Sequence, residues 1–101
     1  MALHNEPFFD LLVETFDSGP VSGRHGTKHV RALPGQGVDT TLVVECNREM
    51  RDLFPLGTMF LITAKLTDRS GGGMYLKSPN PRSYSVVTKA QARSFLAHRK
   101  H

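Results

Sequence analysis

The sequence contains no tryptophan and only one cysteine, Cys46. A single cysteine excludes an intrachain disulfide and any Cys-rich zinc module, and it agrees with a reducing compartment. No apolar run approaches the roughly 20 residues that a membrane helix needs. Glu6 stands where a signal peptide would carry positive charge. The expectation is a cytoplasmic protein with neither membrane span nor export. Acidic residues are also absent from one stretch: none follows Asp68, while Arg69, Lys77, Arg82, Lys89, Arg93, Arg99 and Lys100 do. Residues 1–23 show the reverse, with Glu6, Asp10, Glu14 and Asp17 and no Lys or Arg. Such asymmetry directs attention to a charged partner, although an acidic edge and a basic tail can equally attract each other within one molecule or across a homodimer.

What is present fits one globular domain over residues 1–101, with 39% apolar residues. A chain of this length buries roughly 65% of the surface its unfolded form exposes, so it needs no metal staple.

Hydrophobic alternation dominates. Over 8–16, Phe9, Leu11 and Val13 alternate with Asp10 and Glu14, as in a half-buried strand. A helix capped by Asn5, with Phe8, Leu11, Leu12 and Phe16 on one face, is the rival. The strand is favoured because Asp17-Ser18-Gly19-Pro20 closes the segment like a hairpin. Residues 21–26 read as a loop. Over 27–33, Val30 and Ala32 oppose His29 and Arg31, and Pro34-Gly35-Gln36-Gly37 ends the strand in a turn. Val38 to Glu45 reads as a third, β-branched strand. Cys46, Met50, Leu53 and Phe54 then recur at helical spacing, so a short helix is expected at about 47–54, capped by Asn47 and stopped by Pro55. Residues 58–66 form the clearest strand, with Phe60, Ile62, Ala64 and Leu66 on one face. The glycines at 71–73 make 67–73 a loop. Short strands follow at 74–78 and 83–87, separated by Pro79-Asn80-Pro81. Thr88 and Gln91 have capping-box spacing, so a basic C-terminal helix occupies 88–101 with Ala92, Phe95 and Leu96 inward.

The resulting fold class is mainly β: a small antiparallel six-stranded barrel over 1–87, with a short helix after strand 3 and a C-terminal helix. Closure hides the edges that a flat sheet would expose. The helix after strand 3 gives the barrel an OB-like or SH3-like outline, which by itself assigns no function. The stretches His29 to Gly37 and Gly57 to Gly72 resemble segments of short, uncharacterised bacterial reading frames, some of them carried on mobile gene cassettes. They cover about a quarter of the chain. The resemblance implies a bacterial source and carries no activity or site.

The candidate chemistry is sparse. Gly23-Arg24-His25-Gly26-Thr27-Lys28 has the wrong spacing and residue order for a phosphate-binding loop, and a strand follows it instead of a helix. His25 and His29 would stand about 13 Å apart along a strand, so they do not chelate. Cys46 reads as a packed side chain, and His98 and His101 lie at a fraying terminus. Glu45, Glu49 and Asp52 are neutralised by Arg48 and Arg51. Asp68 reads as a turn residue. No catalytic residue, metal site or cofactor is assigned.

The strongest lead is a basic surface with interleaved aromatics. Phosphates need accessible cations, and bases stack on exposed rings. Tyr75, Lys77, Arg82 and Tyr84 supply both on neighbouring strands, extended by Arg24, Lys28 and Arg31 and by Lys89 and Arg93 on the terminal helix. Against this stands the ordinary reading, in which the tyrosines plug the barrel end and the cations are solvated. The functional expectation is therefore a non-enzymatic interaction module that binds a protein partner or itself as a homodimer. Single-stranded nucleic-acid binding is the alternative, and small-molecule binding at the barrel mouth ranks last.

Overall fold

A computed structural model describes residues 8–17, 28–69, 73–78 and 84–98. The elements are β1 (Phe9–Asp17), β2 (Lys28–Ala32), β3 (Val44–Glu45), α1 (Glu49–Asp52), β4 (Met59–Arg69), β5 (Gly73–Lys77), β6 (Tyr84–Val87) and α2 (Lys89–His98). The turn at Ser18-Gly19-Pro20, the loop around Arg24 and His25, Ser70 to Gly72, Pro79 to Arg82 and His101 lie outside the described residues.

β4 organises the sheet. Its first half pairs with β1 on one edge, with Val13 opposite Phe60, and with β6 on the other, with Tyr84 opposite Ile62. Its second half pairs with β5, with Leu66 opposite Leu76. β2 extends the sheet beyond β1, and β3 extends it beyond β5. Residues 8–16 form a strand because both of its edges are used, by β2 and by β4. Leu11 and Val13 point into the main core, whereas Leu12 is equally buried on the opposite face.

The main core joins Leu11, Val13, Val30, Ala32, Phe60, Ile62, Ala64 and Leu76 from the strands to Met50 from α1. Phe54, just after α1, meets Phe60 edge-on at 5.2 Å, and Tyr84 meets Phe60 at 5.6 Å. Three apolar elements are thereby tied together at one end of the sheet. The capping box forms as expected: the Thr88 N–H donates to Gln91 Oε1 (2.8 Å), and the Gln91 N–H donates to Thr88 Oγ1 (3.1 Å). Asn47 is not the N-cap of α1 that the sequence suggested: that position is Arg48, which makes no side-chain capping bond, and Asn47 Oδ1 accepts from the Glu49 N–H at 2.9 Å from one residue further out.

Four expectations need correction. The sheet is not a closed antiparallel barrel. It is open and mixed, because β3 runs parallel to β5 and no ladder joins β3 to β2. The third strand is only Val44–Glu45, because Asp39 takes over the segment before it. Its carboxylate accepts from the Thr41 N–H (2.8 Å) and hydroxyl (2.6 Å), while the Leu42 N–H bonds to the Asp39 carbonyl. These local bonds outcompete a β ladder and hold the Asp39 carboxyl below its ordinary 3.8. The short helix is the single turn Glu49–Asp52. Finally, β4 and β5 consume most of the expected glycine loop, running to Arg69 and resuming at Gly73.

Candidate functional site

Two free edges face each other where the roll stays open. In β1–β2, Leu33 donates to Leu12 at 3.1 Å. Strand alternation then turns the backbone of Arg31 and His29 toward β1, leaving that of Val30 and Ala32 at the free edge. In β3–β5, Leu76 donates to the Val43 carbonyl and Ser78 to the Glu45 carbonyl, both at 2.9 Å. Val44 therefore presents its backbone groups to the opposite side, toward β2. Cα atoms of the two strands come within 8 Å without forming a ladder.

Gln36 stops β2 from pairing further. Its side-chain amide accepts from the Leu12 N–H (2.8 Å) and donates to the carbonyls of Leu12 (2.9 Å) and Leu33 (2.8 Å). It behaves as one more peptide unit of the missing ladder and is buried. Gly35 (φ 92°) and Gly37 (φ 78°) supply the left-handed conformations that swing it inward.

Between the edges lies a groove of about 350 Å³, lined in part by Phe16, His29, Val30 and Arg31 from the β1–β2 side, Thr40 to Val44, and Arg51 from α1. Arg31 donates from Nε to Glu14 Oε2 at 2.9 Å, and its guanidinium sits 4.4 Å from the centre of the Phe16 ring. His29 meets the same ring at 5.8 Å. Arg51 is half-buried, and its guanidinium has no hydrogen-bond or ion-pair partner among the described residues. This differs from the neutralising role expected for it beside Glu45, Glu49 and Asp52. Among the described residues that line the groove there is no acid.

The described residues among those expected to bind nucleic acid are spread over β2, β5, β6 and α2. Lys28 and Arg31 lie on β2, at one end of the sheet order, and Tyr75 and Lys77 lie on β5 toward the other end. Tyr75 and Lys77 alternate with buried Leu76 and so occupy the outer face, whereas Tyr84 pairs with Ile62 and occupies the core face. The two tyrosines cannot form one stacking platform. Tyr84 is half-buried against Phe54 and Phe60, and its hydroxyl faces Glu49 Oε1 at 3.4 Å, which is long for such a bond. Desolvation first, then the Glu49 carboxylate, raises its phenol above the ordinary value of 10.0. Lys89 and Arg93 are exposed on α2, four residues apart on one helical face. Arg24 and Arg82 lie outside the described residues.

Burial pushes the Cys46 thiol up to about 11, with Arg51 opposing only in part, which keeps it protonated at neutral pH. Among the described residues no group of three His, Cys, Asp or Glu side chains converges to hold a metal, and no helix is long and apolar enough to cross a membrane. Sequence reasoning missed Arg51, His29 and Gln36. Gln36 had one faint signal, a polar residue framed by two glycines, whereas Arg51 had none, because a missing partner is a tertiary property.

No protein-family model, curated protein or solved structure matches the chain.

Proposed function

We propose that this protein is a non-enzymatic interaction module that binds an extended polypeptide segment along the free edge of β2. The observation carrying this reading is the pair of unladdered edges, β2 and β3, facing each other across a groove. An edge with vacant N–H and C=O groups pairs with an incoming strand, and pockets beside it select alternate side chains. A strand bonded to both edges would need them roughly 10 Å apart. The β2 and β3 edges approach within 8 Å, too close for a strand bonded to both, so the added segment ladders with β2, whose five residues offer more than the two of β3, and β3 moves aside to admit it. Such a strand would carry the roll toward the OB-like closure expected from sequence. A bacterial, cytoplasmic setting belongs to the same proposal and rests on the sequence resemblance and the lone cysteine.

Charge favours a foreign strand over a second copy. β2 is Lys28-His29-Val30-Arg31-Ala32, so pairing it with itself would bring two basic, acid-free edges together, which costs stability. Nucleic acid loses support from the opposed faces of Tyr75 and Tyr84. The test is selection from a random-peptide display library, then NMR with synthetic winners. The expected result is slowed amide exchange at Val30 and Ala32. Winners that protect other amides and leave these unchanged would refute the edge.

A further inference from the structure

The geometry points to an oxyanion subsite in this groove, formed by Arg51 and Arg31, that holds an acidic side chain of the added strand. The inference rests on the edge-binding reading and specifies its partner. Arg31 spends Nε on Glu14, and its two Nη groups have no partner among the described residues. The Phe16 ring at 4.4 Å and the Glu14 carboxylate fix the guanidinium plane from two directions, so little entropy remains to be lost on binding. Arg51 approaches the same groove from α1, which packs against β2. It is half-buried with all five donors unspent among the described residues.

Partly desolvating the Arg51 guanidinium without a partner is costly, and an oxyanion held by it and by the Nη groups of Arg31 offsets that cost through paired N–H donors. His29 and Thr40 also line the groove, its described lining holds no acid, and the one carboxylate on these arginines, Glu14, takes only Arg31 Nε. A carboxylate fits this lining. A phosphate shares its chemistry, whether free, on a phosphorylated side chain or in a nucleic-acid backbone.

The test uses the intact, isotope-labelled protein and follows the side-chain Nε–H signals of Arg31 and Arg51 by NMR. Inorganic phosphate and acetate are titrated separately, with potassium chloride at matched ionic strength as control. Saturable shifts at both arginines with the oxyanions, and none with chloride, are expected. Arg51→Gln should weaken phosphate binding at least about tenfold, and Arg51→Lys should weaken it less. Arg93→Gln, on the far helix, should leave it unchanged. An unaltered backbone spectrum verifies that each variant folds. Shifts that never saturate, or that persist in Arg51→Gln, overturn the subsite.

Peptides then separate this inference from its parent. Acidic peptides that bind tighter than their Asn/Gln counterparts, with protection at Val30, support both. Equal affinity with Val30 protected overturns the acidic preference alone. Saturable anion binding with no peptide protection at Val30 removes strand addition and leaves the subsite. A single-stranded oligonucleotide that binds more tightly than the acidic peptides overturns the assignment to a polypeptide.

Discussion

A glutamine amide carries the same donor and acceptor groups as a peptide unit, and Gln36 uses both. It satisfies the buried backbone of Leu12 where β2 has ended. Gln36→Ala should therefore cost about 2–4 kcal/mol in urea unfolding, because it strands polar groups that water cannot reach. Gln36→Glu should cost at least as much at neutral pH, since a carboxylate would face the carbonyls of Leu12 and Leu33 that now accept from Nε2. A loss below about 0.5 kcal/mol in either variant would show that this amide does not end the ladder. Gly35→Ala isolates the backbone contribution: no atom lies within 4 Å of the added Cβ, so its effect reports the φ of 92° alone, about 1–2 kcal/mol. Cys46 gives a pH test. Its folded thiol titrates near 11 against 9.0 for an ordinary one, so the unfolded chain loses its proton first. Stability from the neutral buried thiol is complete below pH 9 and falls between 9 and 11. Denaturation across that window should show the fall in the native protein and a flatter profile in Cys46→Ala. Iodoacetamide at pH 8 should label Cys46 slowly until urea is added, and equal rates would contradict its burial.

Elements with a repeating hydrophobic pattern or a short capping motif were the ones the sequence disclosed. β1, β2, β4, β5 and β6 follow from period-two hydrophobicity, and the α2 boundary follows from a four-residue motif whose two bonds both form. Thr88→Ala should remove one of them and cost about 1 kcal/mol of helix stability. Hydrogen exchange should locate the loss at the Gln91 amide and the first turn of α2. Uniform acceleration across β1 and β4 would instead mean that the helix is integral to the core. Less visible were elements decided by competition or by distance. Residues 38–45 have strand composition, yet Asp39 diverts them with bonds only two residues long. The helix beginning at Glu49 ends after one turn, and the Pro55 carbonyl beyond it accepts from Thr58 Oγ1 (2.6 Å) and from Thr15 Oγ1 (3.2 Å), forty residues away in sequence. No local pattern could announce the second contact. The parallel pairing of β3 with β5 is hidden for the same reason. The site was read in the same proportion: Lys28 and Arg31 were singled out by charge, whereas Arg51 matters for the partner it lacks.

At the scale of the whole molecule, an open roll carries the standing hazard of edge-to-edge association. Native sheets counter it with short edge strands and with cations on the edge. This chain does both: β3 has two residues, and β2 places Lys28, His29 and Arg31 among five. These basic residues therefore have a reason to exist that does not involve nucleic acid. They repel a second copy of β2 and leave the vacant Val30 and Ala32 backbone to a strand of opposite charge. The exposed Arg31–Glu14 pair contributes at most about 1 kcal/mol to folding, so removing the edge charges should change association more than stability. Light scattering across a concentration series should give the mass of one chain for the native protein. Lys28→Thr combined with Arg31→Thr should raise the apparent mass toward two chains, with little change in the urea midpoint. Raising the salt concentration should move the native protein in the same direction, because it screens the repulsion that keeps the copies apart. A native protein already dimeric at low concentration, or a double variant that stays monomeric, would remove charge as the guard of the edge, and with it the reason to expect that the partner strand is acidic.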